Sequence, residues 1–229
     1  MGNPQNLFLY SAFNLSAADF FSVMLPLTAV SFLGLGLAAL PVLPRELTHQ
    51  ELKQEKITSV KQLIIYAVLF VLCLLTVFRV VAYPITTVVI VAVLFVLNRE
   101  LLKQIDYMLL LTFVCFFIVS ENLGQVAWVR SFLQELLGRS TLLTSIGASQ
   151  IISNVPAAVL LSGFTDQWRE LLSGVNIGGL GTPIASLASL ITLKLYMRWP
   201  GASVGRFIGV FTAANLAGLV VLLLFALVI

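Results

Sequence analysis

Five long apolar runs decide what this chain can become. They cover about residues 18–43, 62–80, 84–97, 107–120 and 206–229, and a run of ~20 apolar residues is what a helix needs to cross the ~30 Å oily core of a bilayer. The run at 84–97 is short and has to borrow residues from its flanks, while Pro26 should bend the first run. With 59% hydrophobic and 10% charged residues and a mean hydropathy of +1.04, the chain lies far from soluble domains. The fold class read from this is an all-α polytopic membrane protein, whose first partner is the lipid bilayer.

The same composition removes other classes. The net charge of +3 comes from basic residues scattered over short connections, which does not describe a nucleic-acid binder. Cys73 and Cys115 fall inside apolar runs, so neither a disulfide nor a metal centre is expected, and no cofactor is called for. The sole histidine, His49, sits in a polar linker, and neither an HExxH motif nor paired aspartates occur in the apolar runs, so the chain is not read as an enzyme. The opening residues "MGNPQNLFLY" lack the basic and apolar regions of a secretory signal.

Residues 44–61, "PRELTHQELKQEKITSVK", form the one substantial hydrophilic linker and divide the chain into 1–43 and 62–229. When the loops are assigned alternately to two sides, Arg45, Lys53, Lys56, Lys61, Arg99, Lys103, Lys194, Arg198 and Arg206 fall on one side. Arg79, Arg130, Arg139 and Arg169 fall on the other. The excess makes the linker side cytoplasmic and puts the C-terminus outside, in a plasma or inner membrane.

From residue 121 to 199 the apolar pieces are too short to cross singly and are broken by Gly, Pro, Ser and Asn. Residues 126–137, with Trp128, Arg130 and Glu135, read as an amphipathic interfacial helix. "LLTSIGASQIISNVPAAVLLSGF" has two arms of ~10 residues around Ser153-Asn154-Val155-Pro156, which predicts a re-entrant hairpin at about 141–163. "FTDQWRELLSG" reads as a second interfacial piece. "NIGGLGTPIASLASLITLKLY" predicts a broken helix at about 176–198, interrupted at Thr182-Pro183 with a helix starting at Pro183. Irregular backbone at that depth has to line a cavity or be buried in protein. A helix broken in mid-membrane frees N–H groups that attract anions and C=O groups that coordinate cations, so an ion site needs no charged side chain.

The start of the chain echoes its end. "GNPQNLFLYSAF" has a counterpart in "GTPIASLASLI", and aligning Ser16 with Ser203 pairs Phe20 with Phe207. Two broken helices separated by four crossings would run in opposite directions, as an inverted repeat requires.

On "SQIISNVPAA", "NIGGLGTPIASLASL", "GNPQN" and the polar linker, the chain resembles the ion transporter superfamily of citrate and other carboxylate permeases, arsenite permeases and sodium/proton antiporters. The resemblance covers essentially the whole chain. It implies an inverted-repeat transporter fold with a re-entrant hairpin and discontinuous helices, here lacking most of the first repeat. The implied function is a secondary transporter, a symporter or related permease, for a small citrate-like anion coupled to Na+ or H+. The implied second-half site is Ser149, Ser153 and Asn154 with Gly181, Thr182 and Pro183; Gly2, Asn3, Pro4, Gln5 and Asn6 are the end of the first-half site. A Na+ would sit at Ser149, Asn154 and Gly181. Val155-Pro156 stands where carboxylate/sodium symporters carry Thr, closer to the arsenite and antiporter branches. Asn3 replaces the Asp common in those branches. An arsenite or cation antiporter-type permease or a non-transporting membrane subunit therefore stays as the alternative. The missing half is expected from a truncated gene, a misplaced start, a separate N-terminal polypeptide or a homodimer partner.

Each site has a plainer reading. Ser153 and Asn154 are good helix caps and turn formers, and the glycines of "GGLGTP" suit close helix packing. Glu121 is either a proton carrier or an interfacial carboxylate; Asp19 and Arg206 are read as interfacial anchors.

Overall fold

The computed structural model describes residues 2–40 and 59–228. Most of the polar linker, with Arg45, His49, Lys53 and Lys56, lies outside the described residues. In chain order the helices are α1 (Pro4–Ala12), α2 (Ala17–Ala39), α3 (Val60–Val77), α4 (Tyr83–Leu97), α5 (Arg99–Lys103) and α6 (Tyr107–Gln125). They continue with α7 (Ala127–Arg139), α8 (Thr141–Ile152), α9 (Asn154–Ser162), α10 (Trp168–Ile177), α11 (Leu187–Tyr196) and α12 (Val204–Ala226). Among the described residues there is no strand. Among the described residues four helices are long and apolar enough to cross a bilayer, namely α2, α3, α6 and α12. The fifth expected span, α4, stays at 15 residues because Ala82 caps it at one end and the chain turns at Asn98 at the other.

Two compact units are present. The described residues 59–110 form one. In it, α3 and α4 are joined by a short turn in which Arg79 takes a positive φ of 61°, and Thr76 and Thr86 hydroxyls meet at 2.5 Å. No residue of α3 is buried and only Thr86 of α4 is, so these helices present apolar side chains nearly all round. That is the surface of a helix made for lipid.

The described residues 2–40 and 111–228 form the other unit, which holds the buried core. α2 starts on a reciprocal cap. Ser16 Oγ accepts from the Asp19 N–H at 3.1 Å, while the Asp19 carboxylate takes the Ser16 N–H at 3.4 Å and its hydroxyl at 2.6 Å. Asp19 thus has a definite task at the helix start, and α2 continues through Pro26 as one helix.

α8 and α9 fold back on each other. Ser140 and Glu170 both cap α8, accepting from the Leu143 and Leu142 N–H groups at 3.2 Å each. At the far end the chain reverses at Ser153, whose φ is 71°. At the near end, Thr141 donates to Gln167 at 2.7 Å and lies 3.4 Å from the Thr165 hydroxyl, closing the mouth of the hairpin. Arms of 12 and 9 residues are about 18 and 14 Å long, roughly half a bilayer core each. Pro156 is harmless at the third position of α9, where its missing N–H has no partner to lose.

α10 overlaps the stretch read as a second interfacial piece and buries one of its faces in the unit. Leu171, Leu172 and Val175 are completely buried and Ile177 nearly so, which places α10 in the core of the unit. Its approach to α8 depends on small residues on both helices. A Cβ added at Gly174 would lie 2.6 Å from Ser145 Cβ, and one at Gly178 would lie 2.8 Å from Ser149 Cβ and 2.9 Å from Ile146 Cα. Two serines four residues apart face two glycines four residues apart, and the backbones nearly touch. Ala157 and Ala158, both fully buried, give α9 the same close fit.

The break after α10 also differs from expectation. Residues 178–186 are irregular, and α11 begins at Leu187, where Ser186 Oγ accepts from the Ser189 N–H at 3.2 Å. Pro183 therefore lies in the middle of the irregular segment and does not open the helix. The pairing of Ser16 with Ser203 puts two helices of equal length, α2 and α12, at 23 residues each, in register from their caps.

Candidate functional site

The helix ends of the core-bearing unit gather in one place. The Asn154 N–H, first in α9, donates to Ala185 O at 2.9 Å, and Ser153 Oγ reaches the same carbonyl at 3.4 Å, so the start of α9 abuts the irregular segment. Asn176, near the end of α10, donates its carboxamide to Asn6 Oδ1 at 2.7 Å and to Leu172 O at 2.8 Å, bringing the start of α1 to the end of α10. A Cβ on Gly179 would lie 2.9 Å from Asn154 Nδ2, which places that carboxamide beside the end of α10. Pro4 and Val155 line one cavity, so the first turns of α1 and α9 are neighbours. Two positive helix N-termini and one carbonyl-bearing C-terminus therefore meet.

The residues singled out in the sequence divide into three groups. Asn6, Asn154, Gly181, Thr182 and Ser153 come together here. Ser149 is completely buried, donates its hydroxyl to Ser145 O at 2.7 Å and presses its Cβ on Gly178, which is a packing role. Gly2, Asn3 and Pro4 are exposed at the start of α1, where Asn3 is the N-cap without a side-chain bond and Pro4 opens the helix. Glu121 is exposed on α6, and Arg206 is exposed on α12.

Gln5 and Asn154 stand apart from the other polar residues. They are 3% and 5% exposed, on neighbouring helices, and their carboxamides make no hydrogen bond with any described residue. No polar side-chain atom is both fully enclosed and unpartnered among the described residues, so both carboxamides open onto space. Their polar ends are therefore open to water, which a ligand could replace.

Two residues that hold the helix ends together escaped the sequence reading. Gln150 spans from α8 to the irregular segment: its Nε2 donates to Gly178 O at 2.7 Å and to Leu180 O at 2.9 Å, and its Oε1 accepts from the Thr182 N–H at 3.0 Å. Asn176 is the other. The signal available for both was a carboxamide in otherwise apolar sequence, one turn from a residue already singled out. Gly181, at φ 107°, needs to be glycine twice over, since a Cβ would also collide with Gln150 Oε1.

A family model described as citrate transporter matches residues 1–166. The chain is 35% identical over 226 residues to the uncharacterized transporter MJ0456 of Methanocaldococcus jannaschii, covering 99% of this chain and 61% of that protein. It is 30% identical over 198 residues to the inner membrane protein YbiR of Escherichia coli, covering 85% of this chain and 53% of that one. The chain thus spans somewhat more than half the length of these relatives. No solved structure matches it.

Proposed function

The chain belongs to the citrate transporter family, and from that premise we propose that it carries half of the substrate site of a secondary transporter for a small carboxylate anion, with Na+ or H+ as the coupling ion. The observation that carries this reading is that Gln5 and Asn154, both nearly buried residues at the adjoining starts of α1 and α9, keep carboxamides that open onto space without a protein partner. Amide donors backed by two helix N-termini suit a carboxylate and hold it without a basic side chain. On this reading α8–α9 enters the membrane without crossing it, and α10–α11 is a discontinuous helix whose break faces the site. Ser153, Asn154, Gly181, Thr182, Pro183 and Asn6 surround the substrate, and Ser149 fixes the hairpin behind it.

Thermal unfolding of the purified chain in detergent tests the proposal. Citrate should raise the midpoint above that in a chloride solution of equal ionic strength, because a ligand bound only by the folded form stabilises it. A flat response to citrate and to smaller di- and tricarboxylates would remove the anion reading. The replacement of Thr by Val155-Pro156 favours a second reading, an arsenite-type permease; a rise with arsenite and none with citrate would select it.

A further inference from the structure

Resting on the reading of these breaks as a transport site, we propose that Gln150 is a built-in occupant of the carbonyl cradle between α10 and α11 and keeps sodium out of it. The end of α10 frees carbonyls that have no helical partner, and in a broken membrane helix such carbonyls are the ordinary ligands of a coupling cation. Here two of them are taken. Gln150 Nε2 donates one hydrogen to Gly178 O at 2.7 Å and the other to Leu180 O at 2.9 Å. The orientation of the carboxamide is chemically fixed, because the carbonyls can only accept and the Thr182 N–H, 3.0 Å from Oε1, can only donate. An NH2 group with its partial positive charge thus sits where a cation would sit.

The segment is packed closely against α8 around this side chain. Gly178 lies so close to α8 that an added Cβ would be 2.8 Å from Ser149 Cβ and 2.9 Å from Ile146 Cα, and a Cβ on Gly181 would collide with Gln150 Oε1. Thr182 adds a bond from its hydroxyl to Gln150 O at 3.5 Å. The segment is pinned to α8 by one side chain, and its two inward carbonyls are spent on that side chain. Gln150 is in these terms a positioning residue that decides which ion this half of the site responds to.

Gln150→Ala strips the donors and leaves Gly178 O and Leu180 O facing a space the size of a carboxamide. Gln150→Glu keeps an acceptor for the Thr182 N–H but offers negative charge and no donors to the carbonyls. Thermal unfolding of the full chain in detergent, in sodium chloride against choline chloride at equal concentration, reads the outcome. The wild type should melt within about 1 °C in the two salts, and the variants should gain about 3 °C or more in sodium, a response that a merely structural role would not create. A variant that folds only in sodium supports the proposal as well. Folded variants without a sodium-specific rise overturn it, as does a wild type that responds to sodium as strongly as they do. If neither variant folds in either salt, Gln150 serves the fold alone and the proposal falls. Citrate melts run alongside separate this from the anion reading: a citrate response with no sodium response in the variants removes only the role given to Gln150.

Discussion

The chain passes from α8 to α9 through the single residue Ser153, whereas it uses residues 178–186 to pass from α10 to α11. The short break leaves a polar group open: Asn154 spends its N–H on Ala185 O, but its buried carboxamide has no partner in the unit. The long break closes its own, for Gln150 alone binds two of its carbonyls and one of its N–H groups. Both interruptions put irregular backbone inside a mostly apolar protein, yet only one keeps binding capacity in reserve. The two breaks thus differ in whether their hydrogen-bonding groups are spent within the unit, and the proposed anion site uses the one where they are not.

Substitutions can break that contrast, and their effects on stability should fall in a definite order. The largest belongs to Gly178→Val, which drives side-chain atoms into Ser149 and the α8 backbone where nothing can yield. A loss of about 3 kcal/mol is expected, visible as aggregation on size exclusion in detergent. Gly181→Ala should follow at about 1–2 kcal/mol, from an unfavourable φ of 107° and a collision with Gln150. Combined with Gln150→Ala, its collision component disappears, so the double variant should be less unstable than the sum; strict additivity would show that Gln150 does not hold this segment.

Smaller effects test the other side. Asn176→Ala removes the bond that ties α1 to α10 and should cost about 1 kcal/mol in the unfolding free energy. Asn154→Ala should change stability least, by under about 0.5 kcal/mol, because its carboxamide has no partner to lose. Its citrate response should nevertheless weaken by about tenfold or more, the equivalent of ~1.4 kcal/mol. If Asn154→Ala melted much earlier while still binding citrate normally, the short break would be scaffold and the contrast would be reversed.

The long helices could be read from sequence because lipid-facing segments declare themselves by uninterrupted apolar length, as α2, α3, α6 and α12 do. Ser153-Asn154-Val155-Pro156 was equally visible, since Ser and Asn directly ahead of a Pro make a typical cap and helix start. The burial of α10 was not legible. "TDQWRELLSG" is amphipathic when seen alone, and only the meeting of Gly174 and Gly178 with Ser145 and Ser149, nearly 30 positions earlier, turns it into a core helix. Gln150 was hidden for a related reason: its partners are backbone atoms 28 to 32 residues away, and backbone leaves no trace in a residue pattern.

The bond between Asn6 and Asn176 joins residues 170 positions apart. During synthesis at ~5–20 residues per second, the first helix waits on the order of 10–30 s before its partner leaves the ribosome. The contacts of the hairpin and the segment after it reach across only 24 to 32 residues, so that block has the short-range topology that assembles early. α1, with Gln5 and Asn6, accordingly docks on α10 after the hairpin block can form, and the amide protons around it should exchange with solvent before those of the hairpin. The waiting interval is when an insertase or chaperone has the most to protect.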